Sequence, residues 1–175
     1  MKKRWARIEK LAAVSLARVN AKPFTVDPLK VAKSHGAEVV GISDDSRSSG
    51  MVMRQGARII IGVNRFHSET RQRFTVAHEL GHMLLHADQP LIVDNDGLSL
   101  IGRRTEGEDS TREREANAFA AALLMPEEWV RQAVAGQEIP VEGDEKVAAL
   151  ARKFGVSQQA MMFRLMNLGE WSNLG

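Results

Sequence analysis

The stretch that decides the fold is RFTVAHELGHMLLH, residues 73–86. Three of the chain's five histidines fall in it, at His78, His82 and His86, each four residues after the last. Four residues of α-helix advance about 6 Å and about 400°, so side chains at this spacing leave one face a turn apart. Apolar Phe74, Val76, Ala77, Leu80, Leu84 and Leu85 fill the positions between and would anchor the helix inside a domain. The pattern predicts one long helix from about Ser68 to His86. It either presents histidines to a metal ion or is an ordinary buried helix that carries them incidentally.

Working outward toward the N-terminus, residues 58–64 (RIIIGVN) and 51–55 (MVMRQ) flank Gly56-Ala57 and read as a β-hairpin. A polar loop, SDDSRSSG (43–50), precedes it, and AEVVGI (37–42) reads as a third strand. DPLKVAKSHG (27–36) reads as a short helix with Asp27 as N-cap, Pro28 in the first turn and Gly36 as the stop. Trp5, Ile8, Leu11, Leu16 and Val19 follow helical spacing and predict an amphipathic helix over 4–21. The positive start at Met1–Arg4 invites a signal-peptide reading. However, the apolar run from Leu11 to Leu16 is short and is flanked by Glu9, Lys10 and Arg18.

Toward the C-terminus, residues 87–110 lack periodicity and are expected to be either a functional gate or a plain surface connection. STREREANAFAAALLMP predicts a helix over 111–125 that must stop before Pro126. EEWVRQAVA reads as a short helix, GQEIPVEGD (136–144) as a linker, and the tail as two helices around Gly155. The expected fold class is α+β: mostly helical, with a small three-stranded sheet beside the histidine-bearing helix and a C-terminal helix-turn-helix-like tail. Residues 1–135 are expected to form the main domain, with 136–175 packed on it.

Composition narrows the chemistry. With no cysteine among 175 residues, disulfides, Cys-ligated zinc and a thiol nucleophile are excluded. A transition metal would have to be held by His, Asp or Glu. The formal charge of +2 is too small to imply nucleic acid by itself. No segment reaches transmembrane length, so no membrane is expected and the cytoplasm is the default location.

His78-Glu79-Leu80-Gly81-His82 has the form H-E-x-x-H. Two imidazoles at i and i+4 can grip one zinc ion, and the intervening glutamate is placed to take the proton of an attacking water. A bound metal lowers the pKa of water toward neutrality. Gly81 leaves room for a close neighbour at the expense of helix propensity. A zinc peptidase also needs a third protein ligand and an open position. Downstream, the predicted helix carries Glu113-Arg114-Glu115-Ala116-Asn117.

HELGHMLLH followed by EREANAFAAALLMP resembles the ImmA/IrrE family of zinc metallopeptidases, closely over about residues 58–130. The resemblance implies one zinc ion per chain, with Glu113, the first glutamate of an E-x-x-x-D/N pattern, as third ligand to His78 and His82. It implies that Asn117 hydrogen-bonds a ligand histidine and fixes its tautomer. The competing reading of Glu113 is a capping box, Ser110-x-x-Glu113. Glu115 is the rival ligand and is expected to face solvent. His86 drifts off the stripe and is expected to support the ligands from behind. His35 is expected at a helix end.

Zinc peptidases of this type often use Tyr or His to stabilise the oxyanion. This chain has no tyrosine, which leaves His67, His86, Arg103, Arg104 or the metal alone. An extended substrate is expected along strand 58–63 if that strand is an edge; its apolar content fits a central strand equally well.

The expected function is zinc-dependent limited proteolysis of a protein partner. The resemblance implies a helix-turn-helix repressor or an antitoxin as that partner, in a stress, mobile-element or toxin–antitoxin circuit. Two alternatives stay open. One is a DNA-binding regulator using the tail, although SQQAMMFRLMN offers a single arginine and many apolar groups. The other is a zinc-bearing regulator that binds without cutting, against which the intact Glu79 argues.

Overall fold

A computed structural model describes residues 2–43, 49–87, 91–94, 108–135 and 143–170. The chain opens with helices α1 (Lys2–Arg18) and α2 (Pro28–Ser34). Asp27 caps α2, its carboxylate accepting from the amides of Leu29 (2.9 Å) and Lys30 (3.3 Å), and His35 is the C-cap. The next residue, Gly36, takes φ +82° as the chain turns out of the helix.

Four strands follow: β1 (Ala37–Ile42), β2 (Gly50–Gln55), β3 (Arg58–Asn64) and β4 (Leu91–Asp94). The sheet order is β1-β3-β2-β4. β1 runs parallel to β3, while β2 is antiparallel to both β3 and β4. The three expected strands are all present. β4 lies in the segment expected to be a loop, because four residues are too few to show a period. Strand 58–63 is internal, hydrogen-bonded on both sides, so it cannot be the substrate-binding edge. Its run of Ile59, Ile60 and Ile61 reflects that central position.

The long helix α3 spans Glu69–Leu85, with Ser68 and His86 as its caps. It packs against β2 and β3 on one side and against α4 (Glu108–Leu124) on the other. α1 covers α4, and α2 packs on α3 and β1. Helix α4 starts before the expected residue 111, so Ser110 lies within the helix and is not its N-cap. The capping-box reading of Glu113 therefore fails.

The chain continues through α5 (Glu127–Ala135), α6 (Gly143–Phe154) and α7 (Gln158–Leu168). Gly155, between α6 and α7, has φ +63°. Arg73 of α3 donates to its carbonyl (3.1 Å) and to that of Val26 (2.7 Å). The turn between the last two helices is thus tied to the central helix. Residues 44–48 of the polar loop, 95–107 of the aperiodic segment and 136–142, where the expected domain boundary falls, lie outside the described residues.

Candidate metal centre

α3 is buried over ten consecutive residues, Phe74 to Met83. Four of them, Thr75, His78, Glu79 and His82, are polar and at most 2% exposed. Burying polar groups costs about 1–3 kcal/mol each when they lack partners. Packing alone gives no reason to collect four on one helix.

The two histidines one turn apart converge. His78 Nε2 and His82 Nε2 lie 3.0 Å from each other. α4 brings a carboxylate to the same point: Glu113 Oε2 is 3.3 Å from His78 Nε2 and Oε1 is 3.1 Å from His82 Nε2. One ligand atom from each of the three residues falls within a 4.8 Å span. Tetrahedral ligands held at about 2.0–2.1 Å from an ion are about 3.4 Å apart. The observed spacings approach that figure. Two neutral imidazoles and a carboxylate are also a donor set that a divalent transition metal accepts. The residues fit the ion. Glu113 is 42% exposed while the two rings are at most 2% exposed, so the group opens on the carboxylate side.

A close crossing of α3 and α4 makes the convergence possible. A Cβ at Gly81 would stand 3.1 Å from Ala116 Cα and 3.2 Å from both Ala116 O and Phe119 Cδ1. The third residue of the HExxH interval is therefore glycine because the backbone of α4 presses on it. The close neighbour anticipated from Gly81 is this helix.

Partners behind the rings set their tautomers. Asn117 Oδ1 lies 2.9 Å from His78 Nδ1. An amide oxygen accepts, so Nδ1 donates and Nε2 keeps the lone pair a metal needs. His82 Nδ1 lies 3.1 Å from His86 Nδ1, and His86 Nε2 lies 3.0 Å from Glu115 Oε2. Glu115 also pairs with Arg4 of α1 at 3.0 Å. Its side chain is only 17% exposed, so the expectation that it faces solvent is corrected. Glu115 turns inward because His86 continues the histidine stripe one turn further and meets α4 there.

Electrostatics agree with a site that favours a cation. Burial alone would raise the Glu113 carboxyl pKa. Hydrogen bonds and charge from His78 and His82 outweigh it and hold the group far below the ordinary carboxylate range. Burial lowers the His82 pKa against the raising effect of its hydrogen bond to Glu113, and the net lowering favours the neutral, ligating form.

Glu79 is fully buried. A Cβ at Gly50 would collide with Thr75 Cγ2 and stand 3.0 Å from Glu79 Oε1, so the start of β2 lies directly over this carboxylate. Sequence reading missed Gly50. Its only signal there was a glycine at the end of a polar loop.

The proposed oxyanion donors fare unequally. His86 has both ring nitrogens engaged. His67 precedes α3 and lies outside the helix that carries His78, and burial and Arg71 lower its pKa. Arg103 and Arg104 lie outside the described residues. His35 contacts Ser15 Oγ at 3.0 Å, away from the metal group.

A family model described as Peptidase M78, IrrE N-terminal-like domain, matches residues 32–166. The chain belongs to this family. It is a metallopeptidase family, and its matched residues include α3, α4 and the whole sheet. The chain is similar to the radiation response metalloprotease IrrE of Deinococcus radiodurans, at 33% identity over 108 residues, 61% of this chain and 30% of that protein. It is also similar to the IrrE of Deinococcus deserti, at 31% identity over 152 residues, 78% of this chain and 51% of that protein. The chain thus aligns with about half or less of these relatives' length. Among the described residues, no helix is long and apolar enough to cross a membrane.

Proposed function

We propose that this M78-family chain is a zinc-dependent endopeptidase making limited cuts in a protein partner, with helix-turn-helix repressors or antitoxins as the substrate class. The observation that carries the reading is the meeting of His78, His82 and Glu113 at one point of a buried helix pair. In this reading those three side chains hold the ion. Asn117 and His86 fix the tautomers of His78 and His82. A divalent ion held there would supply Lewis-acid polarisation of a carbonyl and a lowered pKa for water.

Glu79 takes the proton from that water and delivers it to the departing amine nitrogen. Its burial keeps bulk water from competing for that proton. The sheet supports a substrate track. Gly50, which lies over Glu79, pairs with Asp94 of β4. β4 is then about one strand spacing from Gly50, and a segment added along its outer edge lies about two spacings, roughly 9.6 Å, from Gly50. An extended segment adding to β4 would present its peptide bonds beside the site through main-chain hydrogen bonds.

The DNA-binding alternative draws no support from α7. Its one basic residue, Arg164, is 5% exposed. It grips Glu9 of α1 (2.5 and 3.0 Å) and the Met125 carbonyl (2.8 Å) rather than facing outward.

The test is metal analysis followed by cleavage. Wild type is expected to carry about one zinc per chain, and Glu113→Ala to lose it. Glu79→Gln is expected to keep zinc and lose cleavage of helix-turn-helix repressors. Should Glu79→Gln still inactivate the partner without cutting it, the non-cleaving regulator is the correct reading.

A further inference from the structure

We propose that Glu115, acting through His86, is a positioning residue for the ligand His82, and that Arg4 joins the N-terminal helix to the same chain of contacts. The inference rests on the metal-site reading above. It concerns residues on three helices, one of which, α1, lies outside the residues matched by the family model.

The direction of each hydrogen bond follows from the carboxylate. An ionised carboxylate only accepts. At 3.0 Å from Glu115 Oε2, His86 Nε2 must therefore be the donor. A neutral ring with its proton on Nε2 leaves Nδ1 to accept. Across the 3.1 Å contact, His82 Nδ1 must then donate. That leaves His82 Nε2 with its lone pair directed at the point shared with His78 and Glu113. One carboxylate thus dictates two tautomers in succession and selects the ligating form of His82.

Arg4 Nη1, 3.0 Å from Glu115 Oε1, occupies the other carboxylate oxygen and leaves Oε2 to His86. Arg4 is 59% exposed, so its share is smaller than that of Glu115. Without Glu115 the His86 Nε2–H, on a ring 5% exposed, loses its partner among the described residues. The proton can then move to the nitrogen facing His82, and the ligating tautomer of His82 is no longer enforced.

This predicts an effect on metal binding that a simple tie between α3 and α4 would not produce. The experiment titrates the full chain with zinc alone, in competition with a chromophoric chelator. It also records the absorption bands of the cobalt-substituted protein. Variants are Glu115→Met, which keeps volume and removes the acceptor, Glu115→Gln, which keeps an acceptor oxygen, and Arg4→Ala. Melting of the metal-free proteins controls for folding.

The expected result is a zinc Kd raised about 10-fold or more in Glu115→Met with shifted cobalt bands. Glu115→Gln should recover part of the loss, and Arg4→Ala should move the Kd less in the same direction. A wild-type Kd and cobalt spectrum in Glu115→Met overturns the positioning role while the metal site stands. If Glu115→Met does not fold, wild-type values in both Glu115→Gln and Arg4→Ala overturn it. Absence of metal from the wild type overturns the site and this inference together.

Discussion

Gly81 of α3 faces Ala116 of α4 so closely that a methyl group fits only if the helices give by a few tenths of an ångström: a Cβ at Gly81 would meet Ala116 Cα at 3.1 Å. Glu113 lies one turn before Ala116, so this crossing sets its distance from His78 and His82. Gly81→Ala gains about 1 kcal/mol of helix propensity and loses about 1–3 kcal/mol to overpacking. The expected outcome is a small change in melting temperature with a clearly weaker zinc affinity. A variant with wild-type affinity would separate the crossing from the site.

Asn117 holds His78 from behind at 2.9 Å. Asn117→Leu removes the acceptor while keeping the volume. Zinc affinity is expected to fall about 10–100-fold, with the metal-free protein still folded. Chelator competition reads the loss; affinity within twofold of wild type would contradict the assignment.

Acid should act in two windows. The His82 pKa is lowered from 6.5 by burial. The unfolded chain therefore takes the proton first, and this contribution to stability is full above pH 6.5 and lost as pH falls through the lower folded value. The Glu113 pKa is lowered from 4.5 by its histidine partners despite burial, so its contribution is full above pH 4.5 and lost below it. Thermal melts of metal-free protein from pH 8 to 4 should show stability declining first below 6.5 and again below 4.5. Glu113→Gln should remove the second decline.

Arg164 and Glu9 join α7 to α1, with side-chain exposures of 6% and 35%. Glu9→Ala leaves a buried guanidinium with the Met125 carbonyl as its remaining partner among the described residues. A loss of about 2–4 kcal/mol is expected by chemical denaturation, discounted from the fully buried case for Glu9's partial exposure. Arg164→Met restores an apolar contact and is expected to be milder. Neither change should strengthen or weaken DNA association, which gel-shift measurements can check.

Much of the fold was legible because local chemistry dictated it. Asp27 and Pro28 start α2, Pro126 follows the end of α4, Gly155 turns between α6 and α7, and Ser157 caps α7 by accepting from the Ala160 amide. β4 escaped because its pairing with β2 is made by partners distant in sequence, not by a pattern of its own. The internal position of β3 escaped for a related reason. An apolar strand reads the same in the middle of a sheet or at an edge that another element covers.

The sequence by itself determined that His78 and His82 share a helix face with Glu79 beside them, because helix geometry ties spacing to direction. It placed two carboxylates, Glu113 and Glu115, on a second helix. Only the tertiary structure decided that Glu113 meets both histidines while Glu115 turns to His86 and Arg4. That choice depends on where α3 and α4 cross and on the arrival of α1 against α4. Crossing and arrival are fixed by Gly81, Ala116 and the packing around them, contacts between residues far apart in the chain that no local period encodes.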